Sequence, residues 1–233
     1  MTFLNNSKFI STPISIFINP WYIVRNSLYK IILRHVSRIR GDCLDVGCGS
    51  KPYESLFTEV NHYVGIDVNP KCDDADVIFD GVTIPFPDNY FDSVVSFEVF
   101  EHVFCLDILF NEVHRVLRPG GMLLFSVPFG YEEHGCPSDF ARYTSFGLTH
   151  LLSSHNFQLL CLDKTNSYIL AICQLVIGYI YTTVLNKSPW LYKPFLLLLL
   201  PLNVIALVLD FILPKRYDYF SNIVVLAIKP DNK

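Results

Sequence analysis

A chain of 233 residues with 51% hydrophobic side chains and a net charge of −4 is long enough for one well-buried domain and an extension. Its charge is segregated: residues 1–40 carry six bases and no acid, residues 41–165 nineteen acids against six bases, and residues 166–233 three acids against six bases. An acidic body repels phosphates, which excludes nucleic acid as substrate, whereas basic, apolar flanks suit an anionic membrane surface. The seven cysteines form no CxxC pair and read as buried, reduced thiols of a cytosolic protein; with no ligand spacing among them, no metal is expected.

In chain order, the apolar run Phe9 to Ile18 follows Lys8 but meets no small-residue cleavage site, so secretion is not expected. Residues 20–39 predict a helix. Pro20 starts it, Trp21, Val24, Leu28, Ile31, Ile32, Val36 and Ile39 recur at three-to-four spacing, and Lys30, Arg34 and Arg38 form a basic stripe. Such a helix either packs over a ligand cleft with its basic face in water or lies on a lipid surface.

Cys43-Leu44-Asp45-Val46 is a short apolar strand entering a turn bracketed by Gly47 and Gly49. The glycines let backbone approach a ligand, and a helix expected over Tyr53 to Val60 would offer unpaired N–H groups. The next strand, Tyr63 to Ile66, ends in Asp67, twenty-two positions after Asp45. At that spacing a doubly wound α/β sheet places an acid beside a nucleotide ribose. Val77-Ile78-Phe79 is a third strand, ended by Asp80-Gly81, where the carboxylate can also cap a turn.

The run Asp92 to Phe97 reads as a fourth strand buried on both faces. Its exit carries Phe97, Glu98, Glu101 and His102, at the strand end where ligands bind in such sheets. His102 is a candidate general base or, alternatively, a structural histidine. A helix is expected over Leu106 to Leu117, stopped by Arg118-Pro119-Gly120-Gly121 before a fifth strand, Met122 to Val127. The polar run 128–144 is too rich in reactive groups for a plain connection. His134 with Asp139 and Arg142 could hold and deprotonate a hydroxyl acceptor; alternatively Arg142 pairs with Asp139 only to hold the loop.

Ser145 to Ser153 reads as a helix and Phe157 to Leu162 as a sixth strand, with the seventh delayed to residues 221–228. Between them lie two apolar segments, Tyr168 to Leu185 and Pro194 to Leu209, the second broken by Pro201. Both flanking strands belong to one sheet, so the insert returns to the side it left, as a helical hairpin. Full crossing would export Lys187 and Lys193 against the positive-inside tendency. A re-entrant or surface-lying hairpin at the cytoplasmic face is preferred over true spans and over a wholly protein-packed insert, with Trp190, Tyr192, Lys215 and Arg216 suited to the interface.

The ordered series LDVGCG, VGIDVNP, VIFDG, YFDSVVSFEVFEHV and VLRPGGMLLFSVP, over roughly residues 41–165, resembles the class I S-adenosylmethionine (SAM)-dependent methyltransferases. The likeness is to type 11 members, and similar H..P.DF.RYT stretches occur in those encoded with bacterial surface-glycan enzymes. The chain departs from the pattern at Lys51-Pro52, where a third small residue often stands. A Rossmann dehydrogenase needs that residue near a pyrophosphate, and SAM has none. The resemblance implies an α/β, Rossmann-like, seven-stranded, mostly parallel sheet ordered 3-2-1-4-5-7-6 with helices on both faces.

It divides the chain into a basic helical region (1–40), a SAM-binding core (41–165), a hydrophobic insert (166–216) and the last strand and tail (217–233). It also implies that Asp45 and the Gly47 and Gly49 backbone orient the amino-acid moiety of SAM, Asp67 its ribose and Asp80 its adenine. Phe97 packs beside the methionine part, and Cys48, Val68, Gly81 and Glu98 complete the cofactor-binding set. The expected activity is methyl transfer to an oxygen of a small or lipid-linked acceptor, a glycan intermediate preferred, with His134 or His102 taking the proton. C-methylation of an isoprenoid quinone and a catalytically silent, membrane-anchored SAM-fold subunit are the alternatives.

Overall fold

The computed structural model describes residues 15–185 and 189–231. They fall into two compact units, one drawn from residues 31–129, 133–163 and 223 onward, the other from the described residues of 1–30, 130–132 and 164–222.

The first unit is organised on a seven-stranded sheet in the order β3-β2-β1-β4-β5-β7-β6. Its strands are β1 (Gly41–Val46), β2 (Val60–Asp67), β3 (Val77–Ile78), β4 (Phe91–Phe97), β5 (Leu117–Pro128), β6 (Gln158–Lys164) and β7 (Asn222–Ile228). β1 pairs in parallel with β2 and β4, β2 with β3, and β4 with β5. β7 runs against β5: Gly120 and Gly121 bond to Lys229, whereas Gly130, further along the chain, bonds to Phe220. This is the expected Rossmann-like topology. Cys43 and Leu44 in β1, Val94 and Val95 in β4, and Leu123 to Phe125 in β5 are wholly buried, as strands covered on both faces must be.

Helix α3 (Leu106–Val116) buries Leu106, Leu109, Phe110, Val113 and Val116 along one stripe. Helix α4 (Ser145–Ser154) starts at Thr144, whose Oγ1 accepts from the Gly147 N–H at 3.1 Å.

Two local expectations are corrected. No α-helix follows the Gly47–Gly49 turn, which leads only to a single 3₁₀ turn, Glu54–Leu56. Lys51 there is left-handed (φ 48°), and buried Tyr53 and Phe57 dock the short segment directly onto the sheet unit. Nor do Pro119, Gly120 and Gly121 end a helix before a separate strand. β5 begins at Leu117 and runs through them, and the pairing with β4 shifts register between Phe91 and Ser93 to absorb the irregularity. A Cβ on Gly121 would stand 2.7 Å from the Arg118 carbonyl oxygen, so the glycine is needed in the strand itself.

The helix expected over 20–39 runs as α2 (Tyr22–His35), followed by a 3₁₀ turn Val36–Arg38. Val24, Leu28, Ile31, Ile32 and Ile39 are buried, and Lys30, Arg34 and Arg38 are exposed, as the periodicity predicts. The short helix α1 (Ser15–Ile18) precedes it. The rest of the apolar run from Phe9 lies outside the described residues.

The second unit is helical and has its own core of Ile23, Ile177, Phe195, Leu199 and Ala206. The segment from Tyr168 forms α5 (Tyr168–Ile180) and a π-helical turn, Tyr181–Leu185; the segment around Pro201 lies within α6 (Tyr192–Ile212). Buried polar side chains fix this packing. Gln174 accepts from Val24 N–H and donates to the Pro20 carbonyl, and Asn203 donates to the Ile16 carbonyl at 2.9 Å. Lys187 lies outside the described residues. Among them no helix is long and apolar enough to cross a membrane.

Candidate functional site

β1 delivers the chain into its turn at Gly47, whose φ of +74° favours glycine. The Gly47 and Cys48 N–H groups both donate to the Ile66 carbonyl, at 2.8 and 3.0 Å, pinning the turn to the end of β2. A Cβ on Gly47 would stand 2.5 Å from the Val99 side chain, so the turn is also closed against the segment leaving β4. Asp67, at the β2 tip, accepts the Gly49 N–H on Oδ2 at 3.0 Å and the Asn69 N–H on Oδ1 at 2.8 Å. Each oxygen keeps a further lone pair for a ligand hydroxyl.

Beside this tip opens a cavity of about 470 Å³, of ordinary size for a small-molecule site. Gly47, Asp67, Val68, Gly81 and His102 line it, together with apolar groups such as Val46, Phe79 and Val99. One carboxylate set to hold a diol, beside apolar walls able to face an aromatic base, fits the nucleoside of SAM.

Of the predicted cofactor residues, Gly47, Asp67, Val68 and Gly81 line this cavity. Asp45 is buried, and its Oδ2 accepts the Tyr63 hydroxyl at 2.7 Å. Burial raises its carboxyl to about 7, against the opposing pull of that hydrogen bond and of Lys51. Asp80 Oδ1 accepts the Val82 and Thr83 N–H groups and so caps its own turn, bonds that hold its carboxyl below the usual range. The Phe97 ring packs against Tyr53 at 4.9 Å and Phe57 at 6.3 Å. Glu98, left-handed at φ 56°, accepts from the Ser126 hydroxyl at 2.6 Å. Cys48 is buried, and burial pushes its thiol up. Gly49 serves through its N–H to Asp67. Lys51, at the departure from the family pattern, pairs with Asp76 at 2.6 Å, and Asp76 also accepts from Gly65 N–H.

The four predicted catalytic residues are gathered together. Asp139 receives Arg142 through both guanidinium nitrogens, at 2.5 and 2.7 Å, and the His134 N–H at 2.9 Å. Those bonds, Arg142's first, hold its carboxyl well below the usual range. Asp139 and Arg142 therefore clamp the loop and carry His134 with them. The His134 and His102 rings meet edge to face, 4.8 Å between centroids. Gly135, at φ +63°, allows this approach, because a Cβ there would stand 2.8 Å from His102 Cε1.

Between the two imidazoles lies a residue that sequence reasoning noticed but did not assign. Glu101 is 0% exposed, and among the described residues neither carboxylate oxygen has a hydrogen-bond partner. His134 Nε2 is 3.5 Å and His102 Nε2 3.6 Å from its Oε1. A second carboxylate in the strand exit, following apolar Val99-Phe100 and next to a histidine, was the available signal.

Residues 44–125 match the family model described as "Methyltransferase domain". A Mycolicibacterium smegmatis protein named "Probable S-adenosylmethionine-dependent methyltransferase" is 31% identical over 121 residues, covering 47% of this chain and 46% of that one. A fatty-acid O-methyltransferase of the same organism is 32% identical over 117 residues, covering 42% and 43%. The chain thus spans about half the length of the curated relatives it matches. Among solved structures, the cyclase SpnF superposes with a TM-score of 0.57 at 19% identity, over 91% of this chain and 83% of that chain. At that identity the likeness shows the fold alone. Over residues 44–125 the chain is thus similar to methyltransferase domains, and S-adenosyl-L-methionine is the cofactor that these likenesses support.

Proposed function

We propose that this protein transfers the methyl group of SAM to an oxygen of a lipid-linked or membrane-proximal small molecule, a glycan intermediate being the preferred acceptor. The observation that carries the reading is Asp67, held on the cavity wall by the Gly49 and Asn69 N–H groups with lone pairs left for a ribose diol. When bound, SAM supplies a methyl group on a positively charged sulfur, an already activated leaving group. What is left to the chain is to align an acceptor behind that methyl and to exclude water. The apolar walls serve the second purpose. His102 lines the cavity and joins it to Glu101 and His134, the groups placed to draw off a hydroxyl proton.

Two observations support the acceptor class. A relative named for O-methylation of a fatty acid favours an oxygen on an apolar molecule. On α6, Leu197, Leu198, Phe211 and Ile212 are 79%, 57%, 87% and 68% exposed, with Lys215 and Arg216 just beyond. An apolar face next to cations suits the boundary of an anionic bilayer.

Titration calorimetry with SAM is expected to show one site per chain, weakened about tenfold by Asp67→Ala. Labelled SAM and purified protein, incubated with membranes from a strain lacking it, are expected to label a lipid-extractable molecule. No heat with SAM would remove the cofactor reading, and label confined to protein or nucleic acid would remove the acceptor reading.

A further inference from the structure

We propose that Glu101, His102 and His134 form a site for a tetrahedral divalent cation of the zinc class, bordering the cofactor cavity. The first argument is the orphaned carboxylate. Glu101 is 0% exposed and, among the described residues, neither oxygen is hydrogen-bonded, which an interior tolerates only when a proton or a positive charge neutralises it; a bound cation is the second of these.

The second argument is the direction of the imidazoles. His102 Nδ1 lies 2.6 Å from the Ser138 carbonyl oxygen, which can only accept, so Nδ1 carries the hydrogen. In the neutral ring, Nε2 then presents a lone pair to Glu101. His134 is oriented alike, with Nδ1 3.4 Å from Asp139 Oδ2 and Nε2 toward Glu101. Two lone pairs and a carboxylate converge on one point, and a cation placed there turns repulsion into ligation. A ring nitrogen bonded to a carbonyl or carboxylate while its partner nitrogen faces inward is the usual orientation of a metal-bound histidine.

The third argument is distance. Oε1 is 3.5 and 3.6 Å from the two Nε2 atoms, beyond the ~2.7–3.2 Å of a hydrogen bond. An ion about 2.0–2.1 Å from each ligand would subtend about 120° across such gaps, close to tetrahedral. The ~90° angles of an octahedral iron site would need ligands only about 2.9 Å apart. The three ligand atoms lie within 4.8 Å of one another, so a small rotation of the imidazoles closes the set.

Three protein ligands leave a fourth position, and one of the three, His102, is also part of the cavity wall. This role rests on the function proposed above. With the cation bound, the lone pairs of the two imidazoles go to the metal instead of to a proton, and an acceptor hydroxyl at the fourth position would lose its proton to solvent more readily. Its oxygen lone pair would then form the new O–C bond as the C–S bond breaks, the bonding pair passing to sulfur to leave a neutral thioether and a methylated acceptor.

The test uses the full chain, stripped with chelator and titrated with Zn²⁺ by calorimetry, and with Co²⁺ by visible absorption. Saturable binding of one Zn²⁺ that depends on Glu101, and a tetrahedral Co²⁺ spectrum, are expected. Glu101→Gln and, separately, His134→Gln should weaken binding by more than the ~10–100-fold that loss of an outer-shell partner costs. His134 lies in a loop, so its variant keeps the test valid if Glu101→Gln fails to fold. Zinc held instead by Cys48, Asp67 and Cys72, or by His35, Cys161 and Asp163, would survive both substitutions, so unchanged binding overturns the site. The metal-free chain should still bind SAM. Zinc binding without SAM binding sinks the proposed function and leaves the site; SAM binding without zinc binding does the reverse.

Discussion

The buried Asp45 gives the most direct check on how the cofactor turn is built. Its carboxyl is 3% exposed and, through burial first of all, raised from 3.8 to about 7, with the Tyr63 hydroxyl and Lys51 pulling the other way. A group whose folded value lies above its unfolded one contributes stability that is present below the unfolded value and lost as pH rises through the folded one. Between pH 5 and 8.5 the unfolded chain is ionised throughout, while the folded chain must give up its proton near 7. The linkage integral over that window is about 3 kcal/mol against folding. Asp45→Asn keeps an acceptor for Tyr63 and removes the titration. Denaturant unfolding of both proteins at pH 5 and 8.5 should show the variant gaining about 3 kcal/mol on the parent at the higher pH. A gap that stays constant between the two pH values would mean that Asp45 is ionised in the folded chain, with its carboxylate turned toward the ligand after all.

Other substitutions probe the remaining contacts. Gly135→Ala puts a Cβ 2.8 Å from His102 Cε1 at a φ of +63°, and is expected to reduce turnover while the SAM dissociation constant holds; equal losses in both would place the loop in cofactor binding. Gly178→Ala in α5 would ordinarily gain about 0.5–1 kcal/mol of helix stability. Here its Cβ falls 2.7 Å from Trp21 Cζ3, so a loss of about 1–3 kcal/mol by thermal unfolding is expected, and a gain would refute the packing. Lys229, 7% exposed, donates to Asn89 Oδ1 and to the His114 and Leu117 carbonyls. Lys229→Met should cost about 2–4 kcal/mol in denaturant unfolding, because those acceptors are left without their donor; a neutral result would mean that solvent reaches them.

The sheet was legible because parallel strands buried on both faces must be largely apolar runs, and Cys43-Leu44, Val94-Val95 and Met122 to Phe125 are such runs. The position of Asp67 was legible for a related reason, since an acid that ends a buried strand stands at that strand's C-terminal tip. Spacing places a residue near a site without saying which way its side chain turns, and the bonds from Tyr63 to Asp45 and from the Val82–Thr83 turn to Asp80 were not legible in it. The short segment after the turn misled for another reason. Its composition allows a helix, but Lys51 adopts φ 48° and the buried rings of Tyr53 and Phe57 hold the chain to a 3₁₀ turn.

The histidine cluster shows the same limit from the opposite direction. His102 and His134 stand thirty-two positions apart, and no periodicity connects them. What joins them is the Asp139–Arg142 clamp on one side of the loop and the space left by Gly135 on the other. Each residue, read alone, has an ordinary structural explanation: Asp139 pairs with Arg142, Gly135 turns the chain, His102 bonds to a carbonyl. Glu101 is the member with no such explanation, because a turn or a cap does not account for a fully buried carboxylate that has no hydrogen-bond donor among the described residues. Removing its charge while keeping its shape is therefore the change that separates a loop held for its own sake from a loop held to complete a site.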